Sequence, residues 1–357
     1  MNQARIGWLL LPSVVLVGLS LLVLYGLDTQ VFWDQVIFTV VGLGIFLIFG
    51  RVDYRIIINY PWLWYCLIIL LLVGTSIFGE ASRGATRWLN FLGLPFQTSE
   101  FTKALIILYG VGLLSRYKRR TIWLFGGYLI SLLIPVALVF LQPDLGSSVV
   151  ILAIGLALVV ASSFPVRAYL IGALMISLSL PFMWQGLQSY QRERVVNFFQ
   201  PAADPLGGGY NAIQSVIAVG SGMVFGRGLG HGTQSQLRFL PERQTDFIFA
   251  TIAEEFGFIG CVLVVVTIGW LLWVISQIAS RSRTFAGRSL ALGVFSYLLT
   301  QVTINIGMNI GLLPVTGITL PLMSAGGSSL VATFLALGLV ASVAREELPV
   351  EAKLEIK

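Results

Sequence analysis

One carboxylate of the chain lies where either a functional role or a helix-capping role is expected. Asp246 lies in the segment LPERQTDFIFATIAEEFGFIG, where a polar loop runs into apolar sequence. An ionisable group at the edge of a hydrocarbon layer costs several kcal/mol unless it is paired or faces water, which points to a functional role. The structural alternative is a helix cap, a position that Thr245 and Asp246 both suit.

Glu100 and Lys103 form a second candidate group at the start of an apolar segment. Residues three apart share a helix face and can pair. A structural ion pair and the charged wall of a water-filled cavity both fit this spacing. Thr98 or Ser99 can cap the helix, which would place Glu100 in the first turn, where the helix dipole favours an acid.

Asp144 and a Trp–Arg pair are further polar groups beside apolar segments. Asp144, in LQPDLGSS, is either a helix cap or a second carboxylate of the same cavity. Arg87 and Trp88 precede the Glu100 segment, and their types are those found at a membrane interface. We include all three among the candidate cavity residues.

Two arginines begin a long loop. Arg192 and Arg194 alternate with Glu193 in SYQRERVVNFFQ. A solvated charge cluster is one interpretation. The other is a site for a pyrophosphate-bearing lipid, because guanidinium groups bind phosphate oxygens in a bidentate way.

The segment GLLPVTGITLPLMSAGGSSL holds the last candidate residues, Ser324 and Ser328. Its glycines and prolines break a helix at membrane depth. Such a break is tolerated only where the backbone lines a cavity or is buried in protein. Both serines are therefore assigned to the cavity.

Glu254 and Glu255 follow Asp246 in the same apolar segment. On a helix that starts near Asp246, Glu254 lies about 12 Å further along the axis and points about 80° away, and Glu255 about 180° away. The two acids cannot both serve the same centre as Asp246. At least one needs a partner in the bundle, or the helix starts earlier.

Metal and thiol chemistry have little support. The single histidine, His231, lies in a glycine-rich stretch without Cys/His ligand spacing, and no metal centre is predicted. A Mg²⁺ or Mn²⁺ ion held by a carboxylate and pyrophosphate oxygens stays open. Cys66 and Cys261 fall inside apolar segments, which indicates packing and no disulfide.

Membrane helices must position these residues. The chain is 57% hydrophobic and 11% charged, with a mean hydropathy of +0.89, whereas soluble domains carry roughly 25% charged residues. We predict an all-α integral membrane protein, with one membrane domain over residues 1–345 and a short cytoplasmic tail over 346–357. We predict ten membrane spans across about 30 Å of hydrocarbon, of which the fourth is short and starts among polar residues: 8–27, 35–49, 56–78, 101–114, 122–141, 145–162, 166–184, 247–275, 289–307 and 328–343.

The distribution of Lys and Arg sets the orientation. With the N-terminus in the cytoplasm, inner loops and tails hold fourteen of the 22 basic residues, so both termini are predicted to be cytoplasmic. The net charge of +6 then reflects contact with membrane lipids and not nucleic acid. The long connections 79–98, 185–246 and 309–327 face outward and predict an extracytoplasmic site. The second, between spans seven and eight, is expected to form short helices packed on the bundle.

Five segments in order on this frame resemble the SEDS family (shape, elongation, division and sporulation proteins). They are RGATRWLNFLGLPFQTSEFTK, LQPDLGSS, QRERVVNFFQPAADPLGGGYNAIQS, LPERQTDFIFATIAEEFGFIG and GLLPVTGITLPLMSAGGSSL, and the match covers essentially the whole chain. The run GHGTQSQLRFLPERQTDFIF is more similar to the elongation (RodA-type) branch than to the division (FtsW-type) branch. Thr98, Gln244 and Ala325 stand where the family commonly has Pro, His and Tyr.

The resemblance implies a peptidoglycan glycosyltransferase of the bacterial cytoplasmic membrane, which polymerises lipid II at the outer face for cell elongation and rod shape. It implies a class B penicillin-binding protein as the transpeptidase partner. It also implies Asp246 as the catalytic residue, with Glu100, Lys103 and Asp144 at positions linked to activity.

Three alternatives stay open: a lipid II flippase, the division-type polymerase, and a structural scaffold for the transpeptidase. A flippase predicts polar access from both faces. The charged residues instead cluster towards the outer side, which favours the enzyme.

Overall fold

A computed structural model describes residues 2–82, 85–91, 94–172, 192, 198–200, 204–205, 207 and 209–346. Helices dominate these residues. The helices are α1 (Asn2–Leu27), α2 (Thr29–Arg51), α3 (Tyr54–Ile58), α4 (Pro61–Phe78), α5 (Thr98–Arg116), α6 (Ile122–Leu141), α7 (Leu145–Ala161), α8 (Tyr210–Ser221), α9 (Thr233–Gln236), α10 (Ile248–Arg281), α11 (Phe285–Asn309) and α12 (Gly327–Glu346).

Seven helices in the described part of the chain are long and apolar enough to cross a membrane: α1, α2, α4, α6, α10, α11 and α12. The helix α7 is a shorter apolar helix. These elements confirm an all-α, multi-pass membrane protein. The predicted seventh span covers residues 166–184, and its part from 173 to 184 is outside the described residues. The tail after residue 346 is outside them as well.

The predicted third span differs from the structure. Residues 56–78 were expected to form one helix, but α3 ends at Ile58 and α4 begins at Pro61. Proline at the first helical position has no N–H to lose and a φ angle already suited to a helix. Pro61 therefore starts a new helix where the apolar run alone suggested continuity.

A small antiparallel sheet precedes α5, and it was not predicted. Its strands are β1 (Glu80–Ser82), β2 (Ala85–Phe91) and β3 (Leu94–Gln97), in the order β1-β2-β3. Trp88 pairs with Gln97 across β2 and β3. The sheet therefore ends directly at the first residue of α5, which fixes where that helix starts.

Helix α5 lies at the centre of the bundle. It contacts α3, α4, α6, α7, α11 and α12, and residues 102–114 are all buried. The neighbouring pair α2 and α12 packs closely through a glycine, because a Cβ on Gly42 would lie 2.4 Å from the Phe334 ring. Small residues at helix contacts allow such approach in membranes. Cys261 is partly buried as expected, but Cys66 is exposed on α4, so its predicted packing role is wrong.

Helix α10 is broken at Gly257, whereas the sequence predicted one continuous span. Gly257 has φ 67° and ψ −160°. The break leaves backbone N–H and C=O groups of α10 without partners inside the helix, and the segment 223–228 forms hydrogen bonds with them. Its four hydrogen bonds are Phe258 N to Met223 O (2.8 Å), Ile259 N to Val224 O (3.2 Å), Arg227 N to Glu254 O (2.9 Å) and Gly228 N to Glu255 O (3.0 Å).

We expect Gly257→Ala to destabilise the protein. The conformation is one that essentially only glycine adopts, at a cost of about 1–3 kcal/mol for other residues. A Cβ there would also lie 2.3 Å from Gly226 N. Thermal unfolding of the purified protein measures the effect. Gly269→Ala is the matched control, since nothing lies within 4 Å of its Cβ position; equal melting temperatures for the two variants would contradict the prediction.

Candidate active site

Asp246 lies directly before helix α10. The helix begins at Ile248 and Phe247 occupies its N-cap position, so the capping alternative for Thr245 or Asp246 is wrong. Asp246 is partly exposed. Its carboxylate lies close to Gly317, where an added Cβ would be 3.4 Å from Oδ2. Gly317 has φ +74°, a backbone conformation that is strained for residues with a Cβ. Glycine avoids this strain and also leaves room beside the carboxylate.

The backbone on either side of Asp246 is held by the loop 310–326, which follows α11. Gln244 O accepts a hydrogen bond from Ala325 N at 2.8 Å, and Thr245 O accepts one from Ser324 Oγ at 2.5 Å. The loop is non-helical, as predicted, and residues 318 and 320–324 are buried. Ser324 therefore belongs to this site, but its hydroxyl supports the backbone.

Glu100 and Lys103 form a buried ion pair inside α5. Lys103 Nζ is 2.6 Å from Glu100 Oε1, and the two side chains are 0% and 3% exposed. Lys103 Nζ also donates to Gln301 Oε1 at 2.9 Å. The structure confirms the predicted pairing. It does not place Lys103 on an exposed cavity wall, because a side chain with no exposed surface cannot reach a substrate in this conformation.

Asp144 caps helix α7 and is joined to the start of α5. Its Oδ1 accepts from Ser147 N at 3.1 Å, which is the first of the two roles that the sequence left open. Its Oδ2 accepts from Ser99 Oγ at 2.9 Å and from Gln97 Nε2 at 3.4 Å. The capping roles considered for Thr98 and Ser99 are wrong, since Gln97 occupies the N-cap position of α5. Glu100 does lie in the first turn.

The segment 316–318 connects the Asp144 and Asp246 groups. A Cβ on Gly146 of α7 would lie 2.3 Å from the Ile318 side chain, while Gly317 faces Asp246. Ser328, at the start of α12, accepts a hydrogen bond from Gln97 N at 3.0 Å. Two of the predicted cavity residues, Asp144 and Ser328, are thus tied together through Gln97.

The remaining candidates are placed unevenly. Arg87 lies on strand β2, and Trp88 beside it is partly buried. Arg192 is exposed, while Arg194 is outside the described residues. The grouping of these four residues around Asp246 stays a prediction.

Glu254 and Glu255 both have partners, as the helix geometry required of at least one. Glu254 Oε1 accepts from Gln234 N at 2.8 Å and its Oε2 from Ser235 N at 2.9 Å, at the first turn of α9. Glu255 Oε1 accepts from Gly230 N at 3.2 Å. Helices α8 and α9 are short helices packed on α10, as expected for this connection. The two acids thus fasten the connection to the bundle.

Sequence reasoning missed three buried amides of α11: Gln301, Asn305 and Asn309. Each is 0% exposed. Asn305 Nδ2 and Asn309 Nδ2 donate to Asp246 O at 2.9 and 3.0 Å. Their spacing of four residues puts them on one helix face. This row of amides in an apolar span could have been recognised in the sequence as a polar helix face.

Arg243 lies three residues before Asp246 and is buried. Burial lowers the pKa of its guanidinium, nearby Arg238 lowers it further, and Asp28 raises it. In the described part of the chain, no group of three or more His, Cys, Asp or Glu side chains could hold a metal ion.

The fold and site define a multi-pass membrane protein with a polar site beside the non-helical loop 310–326. The family model for FtsW, RodA and SpoVE, described as cell cycle protein, matches residues 4–348. The chain belongs to this family, as the sequence resemblance indicated.

Relatives and solved structures agree. Peptidoglycan glycosyltransferase MrdB of Escherichia coli K12 is 37% identical over 346 residues, covering 93% of this chain and 92% of the relative. The probable peptidoglycan glycosyltransferase FtsW of Synechocystis is 34% identical, covering 97% and 88%. A chain of a peptidoglycan synthase complex for polymerization and crosslinking matches with a TM-score of 0.83 and 30% identity, covering 95% and 97%. The rod shape determining protein RodA of Thermus thermophilus gives 0.72 and 27%, covering 96% and 97%.

Proposed function

We propose that this chain is a peptidoglycan glycosyltransferase that polymerises lipid II, with Asp246 as the catalytic base. The observation that carries the proposal is the partly exposed Asp246 carboxylate at the start of α10, on a backbone held from three sides. Relatives named as peptidoglycan glycosyltransferases that match more than nine-tenths of the chain support the reaction class. The elongation role rests on the likeness to MrdB and RodA.

One carboxylate suffices for the chemistry. The acceptor sugar 4-hydroxyl loses its proton to Asp246 as its oxygen attacks the anomeric carbon of the donor, and polyprenyl pyrophosphate leaves with the bonding electron pair. A positioned base contributes about 10²- to 10⁴-fold. Inversion from an α-linked donor to a β-1,4 glycan needs no covalent intermediate.

The leaving pyrophosphate carries charge, so it requires cation contacts and no general acid. Arg192, which is exposed, is one candidate for this role, with Arg194 and Arg87 as further candidates by sequence. Lys103 is fully buried, so its contribution is to hold Gln301 and the fold around it. A divalent ion shared by Asp246 and pyrophosphate would supply the same charge neutralisation.

The distribution of Lys and Arg along the sequence supports a proposal for where the reaction takes place. We place the site at the outer face of the cytoplasmic membrane, with both termini cytoplasmic and the polyprenyl tail remaining in hydrocarbon. A class B penicillin-binding protein is the proposed partner, because a matching structure is a complex for polymerization and crosslinking. Glycan strands made here would then be substrates for the partner's transpeptidase.

Fluorescent lipid II in vesicles distinguishes the polymerase from the flippase. The purified protein, alone and with a class B penicillin-binding protein, is reconstituted and its products are separated by gel. We expect glycan polymers to form. Movement of lipid II between leaflets without any polymer would instead support the flippase alternative and contradict the proposed function.

A further inference from the structure

Asp246 O is held by two side chains at once. Asn305 Nδ2 donates to it at 2.9 Å and Asn309 Nδ2 at 3.0 Å. A carbonyl oxygen has two lone pairs, so these amides occupy its full accepting capacity. The residues are separated from Asp246 by about sixty positions, so the contact joins two distant helices at the candidate base.

The amides have no evident value for the helix that carries them. Asparagine is a weaker helix former than alanine or leucine, and a buried amide is unfavourable unless its hydrogen bonds are made. Helix α11 nevertheless buries Asn305 and Asn309 completely. Asn309 Nδ2 donates to Asn305 O within α11 at 2.8 Å, but further hydrogen bonds of the two amides reach other elements, which indicates that their task is to hold those elements.

Asn309 fixes the first turn of α10 from outside. Its Oδ1 accepts from Ala250 N at 3.1 Å, while its Nδ2 holds Asp246 O. Phe247 occupies the N-cap position but its side chain has no acceptor for this N–H. Asn309 supplies the cap from α11, and the same side chain thereby sets where Asp246 lies relative to the helix.

Asn305 fixes the segment 316–318, which the Asp246 carboxylate faces. Its Nδ2 donates both to Asp246 O and to Ile318 O, the latter at 2.7 Å. Ile318 follows Gly317, whose added Cβ would lie 3.4 Å from Asp246 Oδ2. One amide therefore sets the separation between the backbone of Asp246 and the segment that its carboxylate faces.

We propose that Asn305 and Asn309 are positioning residues that hold the Asp246 carboxylate in line for proton transfer. This role rests on the proposed function of Asp246. The two amides share one carbonyl oxygen, so either alone keeps the backbone in place and loss of both releases it. The expected signature is a loss of kcat that is far larger in the double variant than the two single losses predict.

Steady-state polymerisation of lipid II tests the proposal in Asn305→Ala, Asn309→Ala and the double variant. A misplacement of about 1 Å lowers the rate on the order of 10²-fold, and we expect that loss in kcat of the double variant alone, with KM largely retained. Ser296→Ala is the matched control: it removes a hydrogen bond of α11, from Ser296 Oγ to Ala153 O, that does not touch Asp246. The Asn305→Ser, Asn309→Ser pair repeats the test with smaller cavities.

Hydrogen exchange at the Ala250 amide separates positioning from capping. Exchange should rise in Asn309→Ala and the double variant but not in Asn305→Ala. If kcat falls in Asn309→Ala and in the double variant but not in Asn305→Ala, the positioning role is overturned. Small and additive losses of kcat overturn it as well. Neither result contradicts the proposed polymerase activity. A wild-type protein that makes no polymer overturns the proposed function, and the role that rests on it.

Discussion

Replacing Asp246 by asparagine lowers kcat for lipid II polymerisation by about 10²- to 10⁴-fold, the contribution of a positioned base. The amide has nearly the same size as the carboxylate but cannot accept the proton at neutral pH. The backbone contacts of residue 246 are made by its carbonyl oxygen and survive the change. We therefore expect the variant to stay folded, with a KM close to that of the wild type.

Asp34→Asn provides the control for charge. Asp34 is an exposed acid in the first turns of α2, and its loss should leave the polymerisation rate unchanged. Turnover of Asp246→Asn at the rate of the control would show that residue 246 handles no proton.

Replacing Lys103 by methionine gives the largest expected loss of stability. The change leaves the buried Glu100 carboxylate without its counter-ion, and breaking a buried ion pair typically costs about 3–5 kcal/mol. Glu100 Oε2 already has no hydrogen-bond partner among the described residues, so nothing nearby compensates. The free energy of unfolding in detergent is the quantity to measure, with activity falling as the folded fraction falls.

Two further variants interpret this result. Lys118→Met removes an exposed lysine after α5 and should change stability by less than about 0.5 kcal/mol, as surface substitutions usually do. Glu100→Gln combined with Lys103→Met removes both charges and should recover part of the loss. A single Lys103→Met variant as stable as Lys118→Met would mean that the pair contributes nothing to the fold.

Local features of the site were readable from the sequence. The Glu100–Lys103 pair depends on a spacing of three within one helix, and the Asp144 cap depends on residues three apart. Helix periodicity and capping preferences determine such contacts without knowledge of the tertiary fold. The presence of most membrane spans follows in the same way from hydropathy.

Contacts between distant elements were not readable. Asn305 and Asn309 meet Asp246 only because α10 and α11 pack side by side, and hydropathy does not give that pairing. The break at Gly257 requires the segment 223–228 to lie against it, which periodicity within α10 cannot indicate. The sequence left an exposed Lys103 possible. Its burial follows from the position of α5 at the centre of the bundle, and that position is a property of the tertiary fold.

Chemical rescue tests the central claim most directly. In Asp246→Ala, formate can enter the space of the missing carboxyl group and accept the proton in its place. We predict that the single-turnover rate of glycosidic bond formation is low in this variant and rises with formate concentration, while formate leaves the wild-type rate unchanged. An Asp246→Ala protein that forms the bond at the wild-type rate without formate would contradict the account.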